Sequence, residues 1–175
     1  MIQLEYRKQE IRLTDRISWL PGGEKPLSAE VVLIRGDQRL WLYDVGCGER
    51  TRHALGELPS DTGVVLSHFH YYHLSNLEHL PHGPVYAGAY TRKKVPEAML
   101  VDGPLTLEPG LTVLPFPSSH AKGCVAMTLE DYIFLGDGIY ACRKGYNVSI
   151  LAQTIRTLEA LPEELCCISH SRQFV

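Results

Sequence analysis

The chain has 175 residues, of which 45% are hydrophobic and 21% charged, and these ordinary values exclude a disordered or fibrous protein. A formal net charge of −3, with lysines and arginines scattered along the sequence, argues against nucleic acid as a partner. The length suits one domain, so we expect residues 1–175 to fold as a single unit.

Short strands joined by turns dominate the first half of the sequence. The turn-forming sequences PGG, RGD and GCGE separate runs that are rich in Val, Ile, Leu and Trp. These runs predict strands over residues 11–19, 29–34, 40–44 and 64–67, and we expect them to form a first sheet.

The second half repeats this pattern and adds helices. Strands are predicted over residues 85–87, 105–107, 111–115, 125–129 and 132–135, which we expect to form a second sheet. Helices are predicted over residues 73–80, 91–100 and 147–161. The last begins at the capping residue Asn147. Its apolar side chains lie on roughly one face and are Ile150, Leu151, Ile155, Leu158 and Leu161. Many strands arranged twice, with few helices, predict an α/β sandwich of two packed sheets with helices outside.

The hydropathy of the sequence predicts the location of the protein, and the spacing of its cysteines restricts the kind of metal site that it can form. No apolar run approaches the roughly 18 residues that span a bilayer, and the N-terminus lacks the apolar core of a signal peptide. We therefore expect a cytoplasmic protein with no membrane partner. The five cysteines have no CxxC spacing, which favours reduced thiols. Any metal is then expected to be held by histidine and carboxylate rather than by a cysteine cluster.

Three histidines follow the apolar run that ends at Ser67. His68 and His70 point to the same side of an extended backbone, so both imidazoles can bind one ion. His73 comes about one helical turn later and can approach the same place from another direction. By itself such a string is equally well explained as a polar surface turn.

Three more polar residues stand where predicted strands end. His120 follows the run LTVLPFPSS, and Asp137 lies between two glycines after the run YIFL. The glycines allow close backbone approach, although a lone Asp in such a turn is usually a turn former. His170 follows LCCIS and could equally be a surface residue near the C-terminus.

The order of these motifs resembles that of the metallo-β-lactamase superfamily of metal-dependent hydrolases, along nearly the whole sequence. The matches are Asp-x-Gly at Asp44, the string SHFHYYH, His120, the pair Gly136-Asp137, and His170. This resemblance implies a four-layer αββα sandwich, metallo-β-lactamase-like, with metals in a cleft along one edge of the sheets. Asp44 is similar to a buried carboxylate that orients the histidine ligands without touching metal.

The resemblance also implies the ligands of the metals. His68, His70 and His120 correspond to the first metal site, and Asp137 to a carboxylate that bridges two metals. The histidines of the second site correspond to His73 and His170. The implied cofactor is Zn²⁺, as one or two ions, with Fe or Mn as alternatives.

Tyr72 departs from the family pattern HxHxDH, because it stands where the family has an aspartate that binds the second metal. A phenol titrates near pH 10 in water and is normally a poor ligand, although a nearby dication can lower its pKa. Three outcomes stay open: a weakly bound second metal, a single working metal, or lost hydrolytic activity.

The activity implied by the resemblance is hydrolysis of a small ester, thioester, lactone or phosphoester by a metal-bound hydroxide. The predicted catalytic residues are Asp137, which would orient the hydroxide, and Tyr72, which would donate a hydrogen bond to a developing oxyanion or leaving group. Lys122, Arg143 and Lys144 could hold a substrate carboxylate or phosphate, but exposed surface charge is the commoner explanation of such residues.

Two other functions fit the same residues. A mononuclear iron-dependent sulfur oxygenase of the same fold would use two histidines and the aspartate. A non-catalytic interaction protein would use the metal for folding alone. The chain has no long insertion before its second half. We therefore expect an open cleft for a small-molecule substrate, or a surface completed by another subunit of a homo-oligomer.

Overall fold

The computed structural model describes residues 10–140, 148–160 and 165–168. Seven strands form the first sheet, in the spatial order β1 (Ile11–Arg12), β2 (Ile17–Leu20), β5 (Val31–Arg35), β6 (Leu40–Tyr43), β7 (Gly63–Leu66), β8 (Val85–Ala87) and β9 (Met99–Leu100). Five strands form the second, in the order β10 (Leu105–Glu108), β11 (Leu111–Phe116), β12 (Cys124–Leu129), β13 (Tyr132–Gly136) and β14 (Leu165–Ile168). A separate hairpin pairs β3 (Gly23–Glu24) with β4 (Leu27–Ser28).

The described helices are few and short. They are α1 (Gly48–Leu55), α2 (Tyr71–Leu74) and α3 (Val148–Glu159), with 3₁₀ turns over Leu77–His79 and Thr91–Lys93. Among the helices of the described residues, none combines the length and the apolar character needed to cross a bilayer.

Side chains alternate between the two faces of each strand, which places an apolar layer between the two sheets. Trp41 and Tyr43 on β6 and Val65 on β7 meet Val125 and Met127 on β12 in one buried cluster. The two sheets therefore pack face to face.

The outer faces of the sheets are covered by helices. Leu42 and Leu66 of the first sheet share a buried cluster with Leu55 of α1. On the other side, Leu158 of α3 packs against the cluster that contains Ile133. The layer order is helix, sheet, sheet, helix, so the predicted αββα sandwich is confirmed.

Strand direction brings polar residues to one edge of the sandwich. β6, β7 and β8 are parallel neighbours, so their carboxyl ends lie together, and these ends lead into Asp44 and His68. Gly136 ends β13 of the second sheet with a φ of +55°, and a Cβ there would lie 2.7 Å from the Cβ and Oγ of Ser67. Only glycine permits this contact, which delivers Asp137 to the same edge.

The predicted strand over residues 11–19 is wrong, because a hairpin divides it into β1 and β2. The hydroxyl of Thr14 accepts hydrogen bonds from the amides of Arg16 (3.1 Å) and Ile17 (3.0 Å). This side chain closes the turn, so the register pairs Ile11 with Trp19.

The placement of residues 85–87 in the second sheet is also wrong. Val85 pairs with Val64, so β8 lies beside β7 in the first sheet. A parallel neighbour follows a crossover, here through α2, and sequence periodicity does not record which sheet the chain returns to.

The helix predicted over residues 91–100 is a 3₁₀ turn followed by strand β9. Pro96 explains the difference, because proline lacks an amide hydrogen and disfavours helical backbone in Val95 before it. The helix predicted over residues 73–80 begins earlier, as α2, and continues only as the 3₁₀ turn Leu77–His79.

The third predicted helix corresponds to α3, with one error on its buried face. Ile155 is 47% exposed, whereas Thr154 is buried and donates a hydrogen bond to the carbonyl of Pro117 (2.6 Å). Asn147 and Leu161 lie outside the described residues. Cys47 and Cys124 are buried free thiols, as expected, and the side chains of the other cysteines are not among those described.

Candidate metal centre

Four of the predicted ligands meet at the sheet edge. One donor atom from each of His68, His70, His120 and Asp137 lies within 4.8 Å of every other. Two come from the loop after β7, one from the loop after β11 and one from the turn after β13. Residues that are up to 69 positions apart in the sequence thus form one group of imidazoles and a carboxylate.

The spacing of the donor atoms suits a small cation. Nδ1 of His70 lies 2.9 Å from Nε2 of His68 and 3.1 Å from Nε2 of His120. Nε2 of His120 lies 3.2 Å from Oδ2 of Asp137. Ligands about 2.0–2.1 Å from a tetrahedral zinc ion are separated by about 3.3 Å, so these residues fit such an ion.

Ser67 and Asp44 fix the orientation of His68. Oγ of Ser67 donates to Oδ2 of Asp44 (2.7 Å), which leaves the hydroxyl to accept a hydrogen bond from Nδ1 of His68 (3.0 Å). The amide of Ser67 also donates to Asp44 (2.7 Å). With its proton on Nδ1, His68 presents the lone pair of Nε2 to the cluster.

The charge state of these imidazoles favours cation binding. Burial lowers the pKa of His68 to about 2, and the neighbouring His73 adds to this effect. Burial also lowers the pKa of His70, helped by the charge of His120. Both rings are therefore neutral near pH 7, which is the form that binds a metal ion.

His73 stands beside the cluster rather than in it. Its Nδ1 lies 2.6 Å from Oδ2 of Asp44, and its Nε2 lies 3.2 Å from Oδ2 of Asp137. Burial alone would lower the pKa of His73, but the two carboxylates raise it to about 9. The predicted second-site histidine thus links the two aspartates.

Tyr72 reaches the cluster with its hydroxyl. The oxygen lies 3.1 Å from Nδ1 of His70 and 3.4 Å from Oδ2 of Asp137, to which it donates. The ring is half-buried, and the backbone carbonyl of Tyr72 accepts from the amide of Ala29 (2.9 Å). His170, the other predicted second-site ligand, lies outside the described residues.

Ser67 is a residue that the sequence analysis missed. Serine at a strand end is common, and nothing in its type marks it as an anchor for Asp44, His68 and His73. The available signal is its position, one residue before the first histidine of the string, at the point where Gly136 makes its close approach.

Comparisons with known proteins agree on the fold. No family model matches the sequence, and no curated protein sequence matches it. Solved structures do match. The metallo-β-lactamase SMB-1 bound to 2-mercaptoethanesulfonate superposes with a TM-score of 0.71 at 15% identity, over 93% of this chain and 80% of that one. Rm3 metallo-β-lactamase superposes with a TM-score of 0.70 at 17% identity, over 97% of this chain and 81% of that one.

A third match is AiiA from B. thuringiensis, whose structure has N-decanoyl-L-homoserine at the active site. It superposes with a TM-score of 0.63 at 13% identity, over 79% of each chain. At these identities the likeness establishes the arrangement of sheets and helices. What the site does must therefore be argued from its own residues.

Proposed function

We propose that this chain, which has the metallo-β-lactamase fold, is a metal-dependent hydrolase whose ion is held by His68, His70 and His120, with Asp137 beside them. The observation that carries the proposal is the convergence of these four donor groups, within 4.8 Å of one another, at the edge of the sandwich. Three imidazoles and one carboxylate form a donor set suited to zinc.

A divalent ion in this cluster would polarise a carbonyl or phosphoryl oxygen and lower the pKa of a water molecule to roughly 7. The chain's own residues would supply orientation and proton transfer. Asp137 is almost fully buried, and its Oδ2 faces His73, His120 and Tyr72. From there the carboxylate can accept a hydrogen bond from the attacking water and hold it in line with the substrate.

Tyr72 would stabilise the negative charge that develops on the substrate during hydrolysis. Its hydroxyl is at hydrogen-bond distance from two residues of the cluster, and a neutral phenol donates a hydrogen bond without ionising. We assign it the stabilisation of a developing oxyanion or leaving-group oxygen. The substrates proposed are small esters, thioesters, lactones and phosphoesters. N-decanoyl-L-homoserine in AiiA is a precedent on this fold for a small acylated ligand.

One tightly bound ion is the first expectation for this site. Tyr72 supplies a phenol where the family resemblance expects a carboxylate, so a second ion would have one anionic ligand fewer. We therefore propose that a second ion binds weakly. Zinc is the proposed metal. Iron at one per chain, with oxygen uptake on persulfides, would instead favour the sulfur oxygenase.

The first experiment is metal analysis of the purified protein, before and after incubation with zinc. We expect at least one zinc ion per chain, and a second only at higher free zinc. A protein that holds no metal after this treatment contradicts the proposal.

The second experiment is turnover of a panel of thioesters and lactones by Tyr72→Phe. Loss of one oxyanion donor typically lowers kcat by about 100-fold, whereas metal content should not change. Tyr71→Phe is the matched control, since Tyr71 is the adjacent tyrosine and is 68% exposed. Equal rates for Tyr72→Phe and the unmodified protein would remove Tyr72 from the mechanism.

A further inference from the structure

Three lysines lie on two loops that contact each other, and one of these loops carries His120. Lys93 and Lys94 end the 3₁₀ turn region after β8, and Lys122 follows His120 by two residues. The ammonium groups of Lys93 and Lys122 lie 4.5 Å and 5.7 Å from the centre of the Tyr90 ring. Both charges are thus held against one aromatic side chain.

Glycines allow the two loops to meet. Gly123 has a φ of +71°, and a Cβ on it would lie 3.3 Å from both the ring and the amide of Tyr90. A Cβ on Gly88 would collide with the carbonyl of Gly123. The position of Lys122 relative to Tyr90 is therefore fixed by backbone packing between the sheets' loops.

Lys94 connects this arrangement to the metal ligands. Its Nζ lies 5.5 Å from the centre of the Phe69 ring, and that ring lies 5.1 Å from the ring of His70. Lys94 also contributes to the lowered pKa of His70, after burial and the charges of the neighbouring histidines. We call Phe69, Tyr90, Lys93, Lys94 and Lys122 the lysine–aromatic patch.

In the part of the chain that the structure describes, the lysines of the patch are not held in ion pairs. Across residues 10–140, 148–160 and 165–168, no ion pair involves any of the three lysines, whereas arginines elsewhere in that range do form ion pairs. The whole chain has a formal net charge of −3, whereas the patch is positively charged. A cleft wall of one charge sign attracts ligands of the opposite sign.

Acidic residues limit where an anion can lie. A groove of about 310 Å³ is lined by Lys94 together with Glu78, Glu97 and Tyr71. These carboxylates repel an anion, so we place the charged group of the ligand beside the Phe69 ring, which lies 5.5 Å from Nζ of Lys94, and not in this groove.

We infer that the lysine–aromatic patch binds a negatively charged oxygen group of the substrate, such as a carboxylate or sulfonate, while the reacting bond lies at the metal centre. The inference rests on the proposed hydrolase function and narrows it to anionic substrates. Phe69 and Tyr90 would contact the carbon atoms next to the charged group, and the ammonium groups would bind its oxygens.

The test uses two thiols that share a metal-binding group and differ in charge. These are 2-mercaptoethanesulfonate and neutral 2-mercaptoethanol, titrated into the Co²⁺-loaded protein and followed by the visible spectrum of the ion. We expect the sulfonate to bind more tightly than the alcohol. The double variant Lys94→Gln with Lys122→Gln should reduce this preference on the order of tenfold, from two exposed charge contacts. Raising the salt concentration from about 0.05 M to about 0.5 M should also reduce it.

Two controls separate the possible results. Arg39→Gln removes one positive charge at the start of β6, at the opposite end of that strand from Asp44, and should keep the full preference. The Kd of 2-mercaptoethanol should be equal in all variants. If the double variant has normal cobalt spectra and still prefers the sulfonate to the alcohol by the same factor, the inference about the patch is wrong. The proposed hydrolase function is then unaffected. Absence of a cobalt spectrum, or of any response to either thiol, contradicts the proposed function and the patch together.

Discussion

Asp44 is the buried residue that contacts Ser67 and His73 beside the candidate metal centre. Its carboxylate is fully buried and is contacted by the amide and hydroxyl of Ser67 and by Nδ1 of His73. The backbone φ of Asp44 is +59°, a conformation in which aspartate and asparagine are several times commoner than most residues. Side chain and backbone therefore both favour this residue type at the end of β6.

The substitution Asp44→Asn tests this anchor without backbone strain, because asparagine tolerates the same φ. The amide cannot accept three hydrogen bonds in the same way, so the histidines lose their fixed orientation. We expect the affinity for zinc to fall by about 10- to 100-fold, measured by calorimetry with a competing chelator. The exposed Asp131→Asn should keep the original affinity. A folded Asp44→Asn protein that binds zinc equally well would show that the anchor is unimportant.

Residue chemistry made part of the site predictable. The spacing of His68 and His70 predicts that they bind one ion, and the family resemblance adds His120 and Asp137 to this group. The donor atoms of all four residues do converge. The contribution of Ser67 depends on hydrogen bonds to Asp44 across the fold, and its position before His68 is the one signal that the sequence carries. Lys94 was missed for a similar reason, since its proximity to Phe69 results from loop packing.

At the scale of elements, the turn after β13 decides where Asp137 lies. Gly136→Ala would introduce a Cβ at a φ of +55°, 2.7 Å from Ser67. We expect a loss of about 1–3 kcal/mol in the free energy of unfolding and weaker zinc binding, because the turn must move away from β7. Denaturant unfolding and zinc titration measure the two effects.

Gly110→Ala provides the matched control for this substitution. Gly110 also has a positive φ (+79°), but the nearest atom to an added Cβ is 4.0 Å away. Only the backbone cost of about 1 kcal/mol is expected, with no change in zinc affinity. If both variants lose stability equally and both keep their zinc affinity, the contact with Ser67 does not position the turn.

Glu108 joins the two sheets at the end of the sandwich away from Asp44. It ends β10 of the second sheet and accepts hydrogen bonds from Trp41 Nε1 (2.7 Å) and from the amide of Gln38 (3.2 Å) in the first. Burial would raise the pKa of Glu108, but these hydrogen bonds, with those from the amides of Asp37 and Arg39, outweigh it and lower the pKa below 4.5.

A lowered pKa makes the contribution of Glu108 depend on pH in a defined direction. The ionised form is the stabilised one, so the contribution is complete above the unfolded-state pKa of 4.5 and is lost as the pH falls through the lower folded-state pKa. We expect Glu108→Gln to reduce the free energy of unfolding by about 1–3 kcal/mol near neutral pH. The difference from the unmodified protein should shrink below pH 4.5 in denaturant titrations. A constant difference across this range would contradict the assignment.

The strands could be predicted better than their arrangement. Alternating burial over the first four residues of β11 follows a period of two, which local sequence records. Whether β8 joins the first or the second sheet depends on a parallel pairing between Val64 and Val85 across a crossover, which local sequence does not record. The hairpin at Thr14 was not predicted for a third reason, since the hydroxyl of one residue closes the turn.

For the whole molecule, metal binding should stabilise the fold, because the ligands come from both sheets and converge only in the folded state. Zinc at about 100 times its Kd contributes about 2.7 kcal/mol, which for a chain of this size raises Tm by about 5–10 °C. His120→Ala should abolish the increase in calorimetry, and His79→Ala, at an exposed histidine, should preserve it. An equal increase in both variants would place the zinc elsewhere.

X-ray absorption at the zinc edge, on protein loaded with one equivalent of zinc, tests the central claim most directly. The four-residue cluster predicts nitrogen and oxygen neighbours at about 2.0–2.1 Å, with the outer-shell scattering of three imidazole rings. A sulfur neighbour at about 2.3 Å, or scattering from fewer than two imidazoles, would show that the ion is not held by His68, His70 and His120.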